Sequence, residues 1–347
     1  MSVKKILLVG SSSKGALEYS YLKAAEQLSI ETVLFDPGKT EQKYLKGGKI
    51  GRTVHLFLPV EQWIRKANRE LILLTKKFEP DVLVLFTNTR VLPGTLACIK
   101  TMMPAVKVVW IWPDTPMNLE KHNLLNAPLV DLTATYSSAT LPVYQQLAFK
   151  NIHWIPLAGD PFMHGVPASD QENFSCDISF IGTWRPERER VMAVLCKQFS
   201  QYKIEIHGRY WKRDCKNPEI RRSIKGEGLY ESAMARLFNQ SRINMNVIDD
   251  TNFPAANMRF FEIPTARGLQ LTSPCPEMET IFRHREQVVY YTNESDAAEQ
   301  VKWILEHPEE GARIRQQGNA LVMQEHTYVH RLGTIITKLE QLTNKSN

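Results

Sequence analysis

The sequence predicts an α/β protein built from two doubly wound parallel-sheet domains. Three observations predict it. The chain has 347 residues, more than one hydrophobic core usually serves. Short β-branched or apolar runs alternate with longer helical patterns, the rhythm of strands that return through crossover helices. That rhythm breaks once, over 155–170, where proline and glycine interrupt it. With 43% hydrophobic and 23% charged residues the composition is that of an ordinary globular protein, and no apolar run is long enough to span a bilayer.

Before the break, residues 6–9, 32–35, 82–86, 106–111 and 132–136 read as strands, with helices over 15–28, 61–78, 92–103 and 141–150. After it, strands are expected at 178–181, 203–206, 243–247, 269–271 and 288–290, and helices at 187–199, 230–239 and 257–267. From Ser295 onward the pattern is helical, broken near Pro308 and Gly318, with a last helix from about Tyr328. These readings divide the chain into 1–160, 161–325 and a terminal helical segment, 326–347.

Lys4 and Lys5 before an apolar run resemble a signal peptide, but the run stops at Gly10 and fits a buried first strand better. A cytoplasmic location is expected. Cys98, Cys176, Cys196, Cys215 and Cys275 show no metal-ligand spacing and read as free thiols. The formal charge of +6 suits anionic partners, among them nucleotide diphosphates, acidic glycans and membrane surfaces, so peripheral membrane contact stays open. No basic block interleaved with aromatics points to nucleic acid.

The most informative stretch is 257–268, NMRFFEIPTARG, which places an amide, a guanidinium and a carboxylate on one short helix. A helix N-terminus offers unpaired N–H groups and a positive dipole end, so Asn257, Met258 and Arg259 stand where a phosphate is naturally held. Glu262 lies one turn on, placed to accept hydrogen bonds from ribose hydroxyls, and Gly268 is expected to end the helix. On the residues alone, the alternative is that Glu262 is a helix-face carboxylate that simply pairs with Arg259.

This stretch resembles the signature of group-1-like glycosyltransferases of the spore-maturation (CgeB) type, whose two-domain fold is called GT-B. Further motifs follow in the family's order: 177–188 (DISFIGTWRPER), 241–247 (SRINMNV), 276–278 (PEM) and 326–331 (HTYVHR). The first half matches more loosely, through 112–116 (WPDTP) and 155–161 (IPLAGDP). The resemblance implies two Rossmann-like domains facing a cleft, the first binding the acceptor and the second a nucleotide-sugar donor, with UDP the expected nucleotide. It also implies a terminal helix that crosses back to the first domain. No cofactor is expected beyond this cosubstrate.

Within that frame, Gly182 would allow close backbone approach, and Arg185 and Arg188 sit at a helix start where a bound anion would relieve their conflict with the dipole. Glu187 and Glu189 offer the alternative of neutralising them on a solvated face. His207 and Gly208 follow a strand in the loop that runs near the base in such folds. Pro254 stands where many retaining members carry a second Glu, so the stereochemical outcome stays open.

In the first domain, the turn 10–15 (GSSSKG) lacks the spacing of a phosphate loop. Gly10, Ser12 and Lys14 instead read either as a tight turn or as the lip of an acceptor pocket beyond the strand ends. Asp114 is the candidate general base, with turn capping as the simpler account. His326 and His330 lack a third ligand, and no Asp-x-Asp occurs, so cations and helix ends would stabilise the leaving diphosphate without a metal. The expected reaction moves a sugar from a nucleotide diphosphate to a glycan, protein or other hydroxyl acceptor. The rivals are a nucleotide-sugar epimerase and a non-catalytic nucleotide- or glycan-binding protein.

Overall fold

A computed structural model of the chain describes residues 3–58, 60–87, 89–168 and 173–345. The chain forms two compact units: Met1–Pro156 together with Val329–Asn347, and Leu157–Tyr328. The end of the expected linker, 169–170, lies outside the described residues.

The first unit runs β1 (Lys5–Val9), α1 (Leu17–Gln27), β2 (Glu31–Phe35), α2 (Pro37–Tyr44), α3 (Gly48–Phe57), α4 (Glu61–Phe78), β3 (Val82–Phe86), α5 (Pro93–Met102), β4 (Lys107–Trp112), α6 (Lys121–Asn126), β5 (Leu132–Thr135), α7 (Leu141–Gln146) and β6 (Ile152–Trp154). Its six strands are parallel, in the order β2-β1-β3-β4-β5-β6. Helices cover both faces of such a sheet, so its central strands read as unbroken apolar runs. Val82–Phe86 is buried at every position. One core layer joins Leu7, Leu83, Val108 and Trp110 to Leu71, Leu96 and Tyr144.

The second unit continues with α8 (Pro161–His164), β7 (Cys176–Ile181), α9 (Pro186–Gln198), β8 (Ile204–His207), α10 (Trp211–Asp214), α11 (Pro218–Arg221), β9 (Ile224–Gly226), α12 (Glu231–Asn239), β10 (Ser241–Asn246), α13 (Met258–Thr265), β11 (Gln270–Thr272), β12 (Val289–Tyr290), α14 (Glu294–Glu306) and α15 (Pro308–Glu325). Its sheet is again parallel and six-stranded, in the order β12-β11-β10-β7-β8-β9. Ile178, Phe180, Ile206, Ile243 and Leu271 pack there against Met192, Leu195 and Val301. The last helix, α16 (Tyr328–Lys345), falls almost wholly in the first unit, where Arg331 Nε donates to the Pro156 carbonyl at 2.9 Å.

Two glycines do a different job from the one their sequence position suggests. The helix does not break at Gly318, because α15 runs straight through it. A Cβ there would lie 2.5 Å from the Gln287 carbonyl oxygen, so this glycine serves close packing. Nor does Gly268 supply the left-handed residue that ends α13; Arg267 does, at φ 58°. A side chain at Gly268 would press on Asn244 Nδ2 at 2.7 Å.

His326 ends α15 while His330 lies on α16, so the two do not share one helix face. His326 packs on the rings of Phe261 and Phe282, which makes it a core residue. All five cysteines are free, and four are buried.

Candidate active site

In a doubly wound sheet the crevice for a ligand opens beyond the carboxyl ends of the strands, where the order of connection reverses. The second unit reverses between β7 and β10, and most of the residues singled out in its sequence gather there. Gly182 follows β7 directly. Its N–H donates to the His207 carbonyl at 2.9 Å, and its own carbonyl accepts from Trp211 Nε1 at 2.8 Å. A Cβ on Gly208 would sit 1.8 Å from the Gly182 oxygen, and one on Gly182 would meet Phe180 at 2.9 Å. Both positions exclude a side chain, so the ends of β7 and β8 approach closely.

Arg188, in the first turn of α9, is mostly buried. Its Nη1 donates to the Thr183 carbonyl at 2.8 Å, and its Nη2 pairs with Asp249 Oδ2 at 3.0 Å. Its Nε is buried with no hydrogen-bond partner among the described residues, an unsatisfied donor at the strand ends. Burial alone would raise the pKa of Asp249. Hydrogen bonds from Thr251 and Asn252, with Arg188 alongside, outweigh that and hold it below the usual aspartate range. Arg185 is the exposed N-cap of α9 and provides no side-chain cap.

Helix α13 carries Arg259 and Glu262, with Asn257 just before it. Asn257 is the N-cap, accepting from Phe260 N–H at 3.1 Å. Its amide also exchanges two hydrogen bonds with Asn246 at the end of β10, at 2.9 and 3.1 Å. Both ends of Asn257 are thus occupied, and it positions the helix. The first-turn N–H groups of Met258 and Arg259 have no acceptor within the helix. Arg259 Nε donates to the Ile181 carbonyl at 3.2 Å, and its Nη1 pairs with Glu262 Oε2. Glu262 is buried at 3% exposure, with His164 Nε2 of α8 4.0 Å from its other oxygen. His207 is half-buried, with Nε2 3.2 Å from Glu205 Oε2.

Sequence reasoning missed Asn246, Asp249 and His164. Asn246 lies within the 241–247 motif, which gives it no role, Asp249 follows that motif by two, and His164 follows Pro161 by three; neither of the last two belongs to a recognisable spacing.

The first unit holds a cavity of about 470 Å³ at its own reversal point between β1 and β3, lined by Gly10, Ser11, Glu18, Asp36, Arg90 and Asp114 among others. Ser12 and Lys14 are not among its lining residues. Ser12 directs its N–H and hydroxyl to Asp36 Oδ2, each at 2.8 Å, and Lys14 is exposed. Asp114 has both oxygens engaged locally, accepting from Thr115 N–H at 2.7 Å and Asn118 Nδ2 at 2.6 Å, while Thr115 rather than Asp114 caps the turn that follows.

Glu18 is the carboxyl that the sequence did not mark. It is buried, accepts from Ser11 N–H at 2.8 Å, and fills the space that a Cβ on Gly10 would need, 2.3 Å from its Oε1. Burial, reinforced by nearby Asp36, pushes its pKa above the usual glutamate range against the pull of that N–H.

Two parallel sheets, each with polar groups gathered at its reversal point, define an α/β protein of the GT-B fold. The solved structures agree. The chain is similar to HepE from Anabaena, solved with UDP and glucose, at 15% identity and a TM-score of 0.63 over 97% of this chain and 100% of that one. It is similar to a glycosyltransferase from Rickettsia africae at 12% identity and a TM-score of 0.66, over 99% and 100% of the two chains. AviGT4, a glycosyltransferase involved in avilamycin A biosynthesis, matches at 14% identity and 0.61 over 98% of each chain. The model of the glycosyl transferase-like family matches residues 185–337, which include Arg188 and all of α13. No curated protein sequence matches the chain.

Proposed function

We propose that the protein is a cytoplasmic, CgeB-type glycosyltransferase that moves a sugar from a UDP-sugar to a hydroxyl of a glycan or protein acceptor, without a metal ion. The observation that carries this reading is the meeting of Arg188, Arg259 and buried Glu262 at the strand ends of the second unit, within the segment matched by the glycosyl transferase-like family. The relatives solved with UDP and glucose or with UDP-glucose share that fold and support the choice of nucleotide.

In this reading the diphosphate lies at the start of α13, against the N–H groups of Met258 and Arg259. Arg259 turns from Glu262 to the phosphates, and Arg188 adds a second fixed cation. Together they stabilise the charge that grows on the departing diphosphate, the main electrostatic demand of the step. Glu262, released from Arg259, receives the ribose hydroxyls. His207 and Gly208 bound the base side, with Gly182 beneath the phosphates. Residues 1–160 take the acceptor, and we assign Glu18 rather than Asp114 the role of accepting its hydroxyl proton. Glu18 faces the cavity and has a raised pKa, whereas the oxygens of Asp114 already serve its turn.

The test is ligand-dependent stabilisation followed by turnover. UDP and UDP-glucose should raise the melting temperature while GDP and ADP do so less, and UDP should be released from UDP-glucose when a glycan acceptor is supplied. Arg259→Ala and Glu262→Ala should each weaken UDP binding by roughly tenfold or more, the scale of one lost charge-assisted contact. Unchanged nucleotide affinity in both variants would overturn the donor site. Binding without turnover over a broad acceptor panel would make the protein a nucleotide-binding module.

A further inference from the structure

Helix α3 presents Ile50, Val54 and Phe57 at i, i+4 and i+7, which is one face of a helix. All three are open to water, at 78%, 47% and 76% exposure, and Leu58 just beyond them is 73% exposed. Scattered apolar side chains on a surface need no explanation, but four contiguous ones on a short helix do.

The helix is not free to roll and hide this face. On its other side His55 is buried, with Nε2 2.8 Å from Glu41 Oε2 and Nδ1 accepting from Val60 N–H at 2.9 Å. The ring of His55 lies 5.1 Å from that of Trp63.

Charge indicates what the face meets. Lys43, Lys46, Lys49 and Arg52 are exposed around the stripe, and no Asp or Glu occurs between Lys43 and Val60. Lys46, Lys49 and Arg52 make no ion pair among the described residues. Two copies of this patch would repel one another, whereas apolar side chains ringed by unpaired cations match an anionic lipid surface.

We propose that α3 docks the protein on an anionic membrane, with Ile50, Val54, Phe57 and Leu58 entering the interface and Lys46, Lys49 and Arg52 meeting lipid phosphates. The docked helix also communicates with the cavity of the same unit. Glu41, the partner of His55, lines that cavity and lies 3.7 Å from Arg90 Nη1, which lines it too. An acceptor carried at a membrane surface would then reach the cavity directly; this last extension rests on the glycosyl-transfer reading, and the docking does not.

Sedimentation of the full chain with vesicles tests the docking. Phosphatidylcholine vesicles containing about 30% phosphatidylglycerol should carry the protein down, and pure phosphatidylcholine should carry far less. Ile50→Asp/Phe57→Asp and Lys49→Glu/Arg52→Glu should each lower the partition by at least about tenfold. These positions are exposed, so circular dichroism should stay unchanged. The proposal is overturned if the wild type ignores the anionic vesicles or if both variants bind as well as it does. It is equally overturned if light scattering without vesicles shows a dimer that Ile50→Asp/Phe57→Asp dissolves, because a second copy then covers the face.

Discussion

Glu18 is a carboxylate kept in a place where its charge is costly. Because burial lifts its pKa, the folded protein holds its proton more tightly than the unfolded chain does. That contribution to stability is present below the ordinary glutamate range and is lost as pH rises through the folded value. Above that value the wild type carries a buried charge that Glu18→Gln would not. We expect Glu18→Gln to melt higher than wild type at pH 7, with the difference shrinking as the pH falls toward 4, while transfer drops on the order of a hundredfold. Equal transfer rates would remove Glu18 from the reaction, and Asp114→Asn in parallel should leave the chemistry largely intact. Asp249 has the opposite sign: its lowered pKa gives stability above the ordinary aspartate range that disappears as acid protonates it, so Asp249→Asn should narrow the acid loss seen in wild type. The sequence alone points toward Asp114 because prolines flank it, and away from Glu18 because an acid in the first turn of a helix reads as a dipole-compensating surface charge. Its burial, the hydrogen bond from Ser11 N–H and its approach to Gly10 show that it faces inward.

At the scale of elements, α13 depends on the Asn246–Asn257 amide pair and its cap. Asn257→Ala should cost about 1 kcal/mol of stability, read from denaturant midpoints, and should weaken nucleotide binding secondarily by freeing the start of the helix. Gly208→Ala is the sharper change. Its Cβ would fall on the Gly182 carbonyl, so the two strand ends must separate, at a cost above about 2 kcal/mol. Helix periodicity made long elements such as α4 legible to the residue. It missed α8, α10, α11, β6 and β9, which are three or four residues long and too short to show a period. Helix α3 escaped for another reason: glycines at 48 and 51 with β-branched Ile50, Thr53 and Val54 give it poor intrinsic propensity, and its apolar stripe faces water.

For the whole molecule, each unit has its own core and its own cavity or polar cluster, so one unfolding free energy does not describe the chain. UDP at about a hundred times its dissociation constant should stabilise the unit that binds it by about 2.7 kcal/mol. Hydrogen exchange should accordingly show protection over 182–188 and 257–262, with 10–36 little changed. The alternation of strands and helices made both sheets readable because the buried parallel strands are mostly apolar, even where β10 buries Asn244 and Asn246. Side-chain partnerships were less readable, because Arg188 meets Asp249 and Arg259 meets Ile181 across long stretches of sequence.

The Arg259–Glu262 pair also imposes an order of events on binding. A nucleoside without phosphates offers nothing to draw the guanidinium away, so its ribose would compete with an existing ion pair for the same carboxylate. A diphosphate removes that competitor first. Phosphate and ribose recognition would thus be cooperative, and uridine should bind more tightly when free pyrophosphate is present than in its absence.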